Sequence, residues 1–518
     1  MSEDVQHSNP PGALLMPIVE THKLIADQIH PAQRQVYNGL DCCLTLEIFE
    51  ELCTLRNEPP PAYDFERALQ APYLELMLRG FLVDETVRRS TLADLYLKDQ
   101  ALNTTLQRMA YAVWDKELNP RSPKQLIDFF YGRMKLPEQY SFKKGIKRIS
   151  TDRDAMEKLE LYIYARPIVA TILAIRDVRK QISVLETEVD SDGRMRSSYN
   201  IAGTETWRLS SSTSAFGTGS NLQNIAPGLR SMFIADPGKK LCVIDLEQAE
   251  SREVGFICGM LFGDWTYLDA CESGDLHTLV ASLVWPKLDW PRDAKGRRAI
   301  ADQNFYRHYS YRDIAKRGGH GSNYYGKPPT MAKHLKVATA VVAAFQERYF
   351  SAFPAIPRWH RWTAEQIQRN SEITTTFGFS RLFFGRPNDD ATLREAIAFQ
   401  GQSPTAVRTN LALYNHWKHF GSTTQLLAQT HDSISFQYDP ADEAEIVPLA
   451  TKMMEIPLSH LSRQFIIPGE AKVGWNWATA HDPNKPIHPV RNPFNPNGLI
   501  KYKGQDKRTR LVGLDRPL

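Results

Sequence analysis

Apolar residues recur every three or four positions through much of the first part of the chain, which is the spacing of helices with one buried face. The pattern covers residues 33–52 and 65–82, and long stretches of it fill residues 90–185. From Asp190 onwards, short apolar runs alternate with Ser, Thr and Gly, which is typical of strands joined by loops. The chain therefore predicts a helical first part and then a mixed region of strands and helices.

Two of the short strand-like runs carry carboxylates. The apolar run 241–244 leads directly into Asp245, and residues 248–260 then have a helical pattern. Asp245 is therefore predicted at a strand-to-helix turn, with its carboxylate exposed. Asp432 lies in a final strand pair that follows a helix beginning at Leu393. Taken alone, a carboxylate at a strand end is more often a turn or cap residue than a catalytic group.

Four residues between these carboxylates repeat every fourth position: Arg312, Lys316, His320 and Tyr324. On a helix this spacing brings two cations and two rings to nearly one face. Two carboxylates can hold two metal ions that stabilise the attacking and leaving oxygens of a phosphoryl displacement, while cations hold a triphosphate. The pattern thus favours nucleotidyl transfer, although a basic helix face by itself is usually a solvated surface.

Three glycines in the same helical segment, Gly318, Gly319 and Gly321, oppose the interpretation as a solvated surface. Each costs roughly 1 kcal/mol in a helix interior, so glycine is a poor choice for mere exposure. We expect these positions to allow the close approach of a substrate.

The chain has 518 residues and a mass of 59.0 kDa, more than one hydrophobic core usually supports, so we expect two or more lobes. A net charge of +4 is only mildly basic, and any nucleic-acid surface must come from local clusters of charge. The six cysteines include no CxxC pair, which favours reduced, buried thiols. No apolar run approaches the length of a membrane span, so we expect a soluble cytoplasmic protein without a membrane partner.

Three separated motifs carry most of this chemistry. They are DLEQAESR (245–252), YRDIAKRGGHGSNYYG (311–326) and QTHDS (429–433). In this order they resemble DYSQIELR, RxxxKxxxFxxxYG and QVHDE of the family A DNA polymerases, the family of bacterial DNA polymerase I and its bacteriophage relatives. Two further segments, TWRLSS (206–211) and NLQNI (221–225), resemble the family's TGRLSS and NLQNIP. The resemblance covers the chain from about residue 33 to Trp477.

The resemblance implies an α+β fold of the right-hand type, with a palm of antiparallel strands, helical fingers and a helical thumb. The expected divisions are an N-terminal segment with an exonuclease-like remnant (1–56), the approach to the palm with a helical thumb (57–195), the palm with the first metal motif (196–260), the fingers (261–370), the palm with the second metal motif (371–481) and a basic, Pro- and Asn-rich tail (482–518) that we expect to be irregular.

The resemblance also implies roles for individual residues. Asp245, Asp432 and the Leu246 carbonyl would bind two Mg²⁺ ions, whose preferred ligands are oxygens. Lys316 would hold the triphosphate and donate a proton to the departing pyrophosphate, and Glu250 would exclude a 2′-hydroxyl. The residues expected to bind the deoxynucleoside triphosphate are Gln248, Glu250, His277, Arg312, Lys316, His320 and Tyr324. Those expected to bind primer-template DNA are Arg208, Asn221, Gln223, Asn224, Arg230, Gln402 and His431.

The chain departs from the family's motifs at three positions. Trp207 replaces a glycine, His320 stands where Phe or Tyr is usual, and Ser433 replaces a second acidic residue. Trp207 bears on the local backbone geometry, and His320 bears on discrimination against sugars that lack a 3′-hydroxyl. Ser433 bears on the groups that surround the metal ligands. With both carboxylates retained, the metal site implied by the resemblance stays complete.

The expected function is template-directed DNA synthesis in DNA replication, with a viral source preferred because of the GGHGSNYYG helix and the His-Asp-Ser triplet. One alternative is a single-subunit RNA polymerase, which Glu250 and the NLQNI segment oppose. Another is a catalytically inactive accessory that binds primer-template DNA, which the retained carboxylates, Arg312 and Lys316 oppose.

Two further features concern the expected partners. The segment YNGLD (37–41) matches the family's last exonuclease motif, YxxxD, but few residues precede it, so we expect a truncated proofreading domain. A separate exonuclease or processivity subunit is left open as a partner. The basic loop at 141–151, with Lys143, Lys144, Lys147 and Arg148, is expected either to contact DNA phosphates or to be a solvated loop.

Overall fold

The computed structural model describes residues 31–55, 61–143, 146–306, 309–479 and 495–504. Contacts within the chain divide it into two units, residues 1–67 with 515–518 and residues 68–514. In the first unit, the predicted helix over 33–52 is confirmed as Pro31–Leu55. Its apolar side chains, among them Leu40, Leu44 and Ile48, are exposed.

The described residues form sixteen α-helices. They are α1 (Pro31–Leu55), α2 (Pro61–Arg79), α3 (Glu85–Trp114), α4 (Pro123–Ile127), α5 (Arg153–Leu159), α6 (Arg166–Leu185), α7 (Ala249–Phe262), α8 (Thr266–Glu272), α9 (Leu276–Val284), α10 (Ala294–Ala301), α11 (Tyr311–Asn323), α12 (Pro328–Leu335), α13 (Thr339–Ala352), α14 (Ala355–Asn370), α15 (Asp390–Phe420) and α16 (Glu443–Met454).

The strands of the described residues are mostly short. They are β1 (Phe81–Val83), β2 (Tyr140–Lys143), β3 (Ile146–Ile149), β4 (Arg194–Met195), β5 (Ser197–Asn200), β6 (Ser210–Thr213), β7 (Phe233–Ile234), β8 (Lys240–Leu246), β9 (Asn304–Tyr306), β10 (Tyr309–Ser310), β11 (Glu372–Thr374), β12 (Ser380–Leu382), β13 (Gln425–Thr430), β14 (Ser433–Tyr438), β15 (Leu458–His460), β16 (Arg463–Phe465), β17 (Gly469–Gly474) and β18 (Ile500–Lys501).

A helical lobe follows β1 and contains α3 to α6. Helix α3 begins at a cap in which the Asp84 carboxylate accepts hydrogen bonds from the backbone N–H groups of Thr86 and Val87. Ser122 caps α4 in the same way, as the Ser-Pro sequence predicts. The long helices α3 and α6 pack against each other over a buried aliphatic and aromatic cluster. Helix propensity alone would leave these helices only marginally stable, and burial of their apolar faces supplies most of their stability.

The expected basic loop at 141–151 is instead largely a β-hairpin, formed by β2 and β3. Tyr140 pairs with Ile149, and Phe142 pairs with Lys147. The ammonium of Lys147 lies 3.9 Å from the centroid of the Tyr140 ring. Aromatic and β-branched residues favour strands, and this local preference outweighs the turn signal of the central lysine and glycine. Of the expected basic residues, Lys144 lies outside the described residues.

The main sheet is five-stranded and antiparallel, with the strand order β13-β14-β8-β17-β18. This confirms the predicted antiparallel sheet and the predicted strand over 241–244. Strand β8 is central, and it pairs with β14 so that Asp245 lies opposite Ser433. On its other side, β17 places Glu470 opposite Asp245. Cys242 and Ile244 of β8 are fully buried, so one face of the sheet is anchored in the core.

The tail is not wholly irregular. Ile500 and Lys501 form strand β18, which pairs with Val473 and Lys472 and adds an edge to the main sheet. The Asn495 side chain also donates a hydrogen bond of 2.9 Å to Asp84. The expectation of an irregular appendage is therefore wrong for residues 495–504, and the remainder of 482–518 lies outside the described residues.

A second helical lobe, α7 to α14, packs around one large apolar cluster. The mostly helical prediction for residues 261–369 is confirmed, with one added short strand pair, β9 and β10. The predicted hairpin at 374–385 is present as β11 and β12. The helix predicted from Leu393 is α15, which begins slightly earlier, at Asp390.

Two of the three glycines of α11, Gly318 and Gly321, make room for protein side chains, whereas substrate contact at Gly319 stays a prediction. A Cβ at Gly318 would lie 2.8 Å from the Phe345 ring, and one at Gly321 would lie 2.7 Å from Met331. A Cβ at Gly319 would lie 3.5 Å from Tyr349, an ordinary contact distance. The glycines at 318 and 321 therefore allow α12 and α13 to approach α11 closely.

The cysteine prediction is only partly correct. All six cysteines are free, and Cys242, Cys258 and Cys271 are buried, but Cys42 and Cys43 are exposed. Among the described helices, none has the length and apolar character needed to cross a membrane.

The glycine packing predicts a difference between two neighbouring substitutions. We expect Gly318→Ala to lower the free energy of unfolding by about 1 to 3 kcal/mol, because the new methyl group overpacks against buried Phe345. The matched substitution Gly319→Ala should be neutral or stabilising by up to about 1 kcal/mol, since its Cβ has space and alanine favours a helix. Urea denaturation of both variants measures the difference. Equal effects at the two positions would contradict the packing explanation.

Candidate functional site

Asp245 and Asp432 lie at the same end of two paired strands. Asp245 is next to last in β8, and Asp432 occupies the turn before β14. The backbone N–H of Leu246 donates a hydrogen bond of 3.2 Å to the carbonyl of Asp432, so the backbone joins the two segments directly. His431 adopts a positive φ of 56° in this turn. The structure thus brings together the two carboxylates that are remote in sequence.

The pKa values of both carboxyl groups are raised. The pKa of Asp245 is raised to about 7, first because burial disfavours its charged form and then because Asp432 carries a like charge. Burial also raises the pKa of Asp432, and the nearby carboxylate of Glu250 adds to the effect. Such a pair is an electrostatic site for a cation, and its oxygen ligands suit a hard divalent ion.

The chemistry of the available ligands limits how a cation is held. Among the described residues, no group of three or more His, Cys, Asp or Glu side chains forms a metal site. Two carboxylates and backbone carbonyls therefore provide an incomplete oxygen shell. Mg²⁺ fits such an arrangement, because it retains several waters and commonly completes its coordination with substrate phosphates.

A pair of glutamines supports the turn that carries Asp432. Gln223 donates a hydrogen bond of 3.0 Å to the Gln429 side chain, and Gln429 donates one of 2.6 Å to the carbonyl of His431. Gln223 is only 8% exposed, so its amide is used inside the protein, although the sequence suggests a DNA contact. The role of Gln429 was missed from the sequence. The sequence did offer one signal for this role, because Gln429 lies two residues before His431 of the His-Asp turn.

Glu250 is held from two sides. One carboxylate oxygen accepts a hydrogen bond from the Arg208 guanidinium, and the other accepts one from the Tyr324 hydroxyl. The expected proximity of Tyr324 to Glu250 is therefore present in the structure. Arg208, expected to contact DNA, instead pairs with Glu250. Burial, followed by the charge of Glu250, raises the pKa of Tyr324 well above its usual value, so its hydroxyl stays a donor.

Trp207, which precedes this arginine, has a left-handed backbone with φ of 63°. This conformation is unusual for a residue other than glycine, and the surrounding structure must enforce it. The indole ring lies 4.8 Å, centroid to centroid, from the ring of Phe379. The backbone carbonyl of Trp207 also accepts a 3.4 Å hydrogen bond from Asn410. Trp207 therefore adopts a backbone conformation that suits glycine, and its side chain adds aromatic packing at the position.

Helix α11 presents its basic face from a well-defined start. Ser310 and Asp313 form a reciprocal cap at its N-terminus. Arg312 binds Asp275 with two contacts of 3.0 Å, from Nε to Oδ2 and from Nη2 to Oδ1. Burial raises the pKa of Asp275, but Arg312 and Thr278 more than compensate and hold that pKa well below its usual value. This carboxylate therefore stays charged and orients the guanidinium.

A cavity of about 270 Å³ lies between α11 and the carboxylates. Its lining includes six residues that the sequence assigns to the site: Gln248, Glu250, His277, Lys316, His320 and Asp432. Lys316 and His320 are exposed, whereas burial, with help from Arg312, lowers the pKa of His277 to about 4. The histidine at 277 is therefore neutral near pH 7. The His320 and Tyr324 rings meet edge to face, with centroids 4.9 Å apart.

The remaining residues expected to bind DNA are more widely spread. The guanidinium of Arg230 lies 4.7 Å from the centroid of the Trp477 ring, and burial lowers its pKa. Asn221 donates a 2.6 Å hydrogen bond to the Ser211 carbonyl within the protein. Asn224 and His431 are exposed, and Gln402 of α15 is half-buried.

The family comparison matches this geometry. A family model described as "DNA polymerase family A" matches residues 90–479, well over half of the chain. The chain belongs to DNA polymerase family A. The match spans both carboxylates, all of α11 and the Arg208 segment, so family A membership and the cavity rest on the same part of the chain.

Two bacterial proteins are among the relatives that this chain matches. DNA polymerase I of Chloroflexus aurantiacus is 26% identical over 469 residues, which cover 86% of this chain and 46% of that protein. The thermostable DNA polymerase I of Thermus caldophilus is 26% identical over 445 residues, with 81% and 48% covered. The chain therefore spans about half the length of these curated relatives.

A solved family A structure shows the same fold. It is the "POL domain of Pol1 from M. smegmatis complex with DNA primer-template and dNTP". The TM-score is 0.65 at 22% sequence identity, and the similarity covers 80% of this chain and 70% of that one. The α+β, right-hand polymerase fold expected from the sequence is confirmed.

The coupled carboxylates predict a pH-dependent stability in the absence of metal. Because the pKa of Asp245 is higher in the folded protein than its ordinary value of 3.8, folding is penalised increasingly as the pH rises through about 7. We expect Asp245→Asn to raise the free energy of unfolding by about 1 to 3 kcal/mol at pH 8, and by less at pH 5.

Denaturation in a chelating buffer at both pH values measures this gain. The control is Asp269→Asn, which removes an exposed carboxylate paired with Arg463 and should produce no comparable increase at pH 8. A destabilising effect of Asp245→Asn at pH 8 would contradict the inferred repulsion.

Proposed function

We propose that this chain is a DNA-directed DNA polymerase, which adds deoxynucleotides to the 3′ end of a primer under the direction of a template. The observation that carries the proposal is the cavity in which Asp432, partnered by Asp245, faces Lys316 and His320 of α11. Carboxylates on one side and the lysine cation on the other suit the binding of a nucleoside triphosphate and its metal ions. Family membership and the fold support the same reaction.

The carboxylates and the leucine carbonyl would hold two Mg²⁺ ions. Asp245, Asp432 and the carbonyl of Leu246 are the proposed ligands, and the raised pKa of both carboxyl groups fits a site completed by a cation. When bound, the ions supply the charge stabilisation of the attacking and leaving oxygens. The support for this assignment is the set of oxygen ligands and the negative charge that this chain itself provides.

The residues of α11 and its neighbour α9 hold the triphosphate in this proposal. Lys316 points into the cavity as an exposed cation, and it binds the phosphates and donates a proton to the departing pyrophosphate. Arg312 is oriented by Asp275, which keeps its guanidinium on the same helix face. His277 and His320 line the approach, where neutral His277 supplies a hydrogen bond without adding charge.

Glu250 would select the sugar. Its carboxylate is fixed by Arg208 and Tyr324 at the edge of the cavity, so it is held in place before a nucleotide arrives. A 2′-hydroxyl next to a fixed, fully bonded carboxylate is excluded by size, whereas the hydrogen of a deoxyribose fits. Gln248 lines the same cavity as a further nucleotide contact.

In the right-hand fold, we assign the main sheet and α7 to the palm, helices α8–α14 to the fingers and the α3–α6 lobe to the thumb. Primer-template DNA then lies across the exposed groups Asn224 and His431 and the half-buried Gln402. The β2–β3 hairpin adds Lys147 and Arg148, which are exposed and suited to phosphate contacts. Arg230, Asn221 and Gln223 are proposed to contact DNA as well, and within the protein they contact Trp477, Ser211 and Gln429 in that order.

Several finer points stay predictions. The relatives named above are bacterial, so a viral source rests only on the α11 sequence and the His-Asp-Ser triplet. The exonuclease-like motif lies in α1, where Asp41 is exposed, and a separate exonuclease or processivity subunit remains a partner to be sought. The RNA polymerase and the inactive accessory are weaker alternatives, because Glu250 is held in place and both carboxylates and Lys316 meet at one site.

The metal ligands give a direct test. We expect Asp245→Ala and Asp432→Ala to abolish primer extension while primer-template binding stays largely intact, because each removes a metal ligand and no principal phosphate contact. Extension assays and DNA titrations measure the two properties. The control variant is Asp269→Ala, whose exposed carboxylate pairs with Arg463 and does not line the cavity. Extension by either test variant at the wild-type rate would refute the assignment.

The sugar gate gives a second test. We expect Glu250→Ala to reduce the preference for deoxynucleotides over ribonucleotides by about tenfold or more, since the blocking carboxylate is gone. Single-nucleotide kinetics with each sugar measure the ratio of kcat/KM values. Glu272→Ala, which removes a glutamate paired with Arg463, should keep the ratio of the unmodified protein. An unchanged ratio in Glu250→Ala would place the gate elsewhere.

A further inference from the structure

A buried polar network lies beneath the nucleotide cavity and is centred on Asn323, the last residue of α11. The Asn323 side chain donates a hydrogen bond of 2.9 Å to the Tyr267 hydroxyl. It also accepts one of 2.8 Å from the Tyr349 hydroxyl. The backbone carbonyl of Asn323 lies 2.8 Å from Nε2 of His360. With 2% of its surface exposed, Asn323 has its polar groups satisfied almost entirely by protein.

The Tyr267 hydroxyl reaches a second segment of the site. Ser251 and Tyr267 both line the cavity. Burial raises the pKa of the Tyr267 hydroxyl, and hydrogen bonding of that hydroxyl with Ser251 and Asn323 opposes this rise. Tyr267 lies in α8 and Ser251 in the first turn of α7, so the hydroxyl connects α7, α8 and α11. A phenol held by several partners is rigid, because each bond restricts the same short rotor.

The two ends of this network are the immediate neighbours of the sugar gate. Ser251 follows Glu250 in the chain, and Asn323 precedes Tyr324. The gate contact itself is the hydrogen bond from the Tyr324 hydroxyl to Glu250. The path from Glu250 through Ser251, Tyr267, Asn323 and Tyr324 therefore closes on itself. Loss of one link frees the ends of α7 and α11 to shift against each other.

The rings of the network also form part of the cavity wall. Tyr267 and Tyr349 both line the 270 Å³ cavity with Glu250 and Lys316. Their centroids are 6.2 Å apart in an edge-to-face arrangement, and each residue is 2% exposed or less. Their hydroxyls are directed to the buried asparagine, so the network fixes the cavity from below.

We propose that Tyr267 is a positioning residue for sugar selection, which holds Tyr324 and Glu250 in register by tying Asn323 to Ser251. The inference rests on the proposed function, and it extends the gate from one carboxylate to the buried support beneath it. Tyr267 acts through its hydroxyl and leaves contact with the sugar to Glu250. A rigid support matters because a gate that moves by a fraction of an ångström admits a hydroxyl group.

Tyr267→Phe removes the hydroxyl and retains the ring. Single-nucleotide kinetics should show a preference for deoxynucleotides reduced about fivefold or more, mainly through a higher kcat/KM for ribonucleotides. The matched control is Tyr131→Phe, which deletes a buried phenol hydrogen bond of 2.6 Å to the Ser150 carbonyl in the thumb. The control should keep the wild-type ratio, because a general loss of stability lowers both activities together.

A second variant and a double variant make the result decisive. Ser251→Ala cuts the other side of the Tyr267 hydroxyl, and it should lower the ratio in the same direction even where Tyr267→Phe folds poorly. In a Glu250→Ala background, adding Tyr267→Phe should change the ratio no further, since the gate is already absent.

The possible results separate the two hypotheses. Relaxed selection in Glu250→Ala together with an unchanged ratio in Tyr267→Phe and Ser251→Ala overturns the positioning role and leaves the proposed function standing. An unchanged ratio in Glu250→Ala overturns the gate itself, and the inference about Tyr267 with it. A ratio that falls in all three single variants, but no further in the double variant, supports the network.

Discussion

Two carboxylates of like charge are kept next to each other in a partly buried site, and much of the surrounding structure serves to keep them there. Repulsion between Asp245 and Asp432 opposes the fold whenever no cation is present. The sheet register and the hydrogen bond from the Leu246 N–H to the Asp432 carbonyl fix the distance between the backbone segments that carry the two carboxylates. Rotation of the side chains cannot change that backbone distance. The site is therefore built before any cation binds, and this preorganisation favours catalysis.

The same principle extends to the polar groups around the carboxylates. Gln223 and Gln429 fix the turn that carries Asp432, and Arg208 and Tyr324 fix Glu250. In both cases hydrogen-bonded side chains set the orientation of a functional group. Buried polar groups are costly when unsatisfied, so each such arrangement has few alternatives. The orientation of the functional groups at the cavity is thus set by hydrogen bonds from residues around it.

The sequence predicted what short-range patterns and motifs can encode. The helices and the basic face of α11 follow from periodicity, whereas the antiparallel sheet and the meeting of Asp245 with Asp432 followed from the family resemblance. Contacts that depend on distant residues were missed. Gly318 was taken for a substrate contact because Phe345 is not its neighbour in sequence, and the hydrogen bond from Gln223 to Gln429 was not foreseen because Gln429 lies far along the chain. The β2–β3 hairpin was missed because a lysine-rich turn masked the strand formers on either side.

The topology of the main sheet has a consequence for the order of folding. Strand β8 is paired on both sides by segments that come much later in the chain, and β18 completes the edge from later still. Closing such long loops is slow, whereas the α3–α6 lobe consists of contacts between segments close in sequence. During synthesis, β8 would emerge before β14 and β17, and it would stay unpaired until they follow. Its apolar residues would be exposed to solvent in that interval. Strand β8 is thus made about midway through synthesis, before any of the strands that pair with it or complete its sheet.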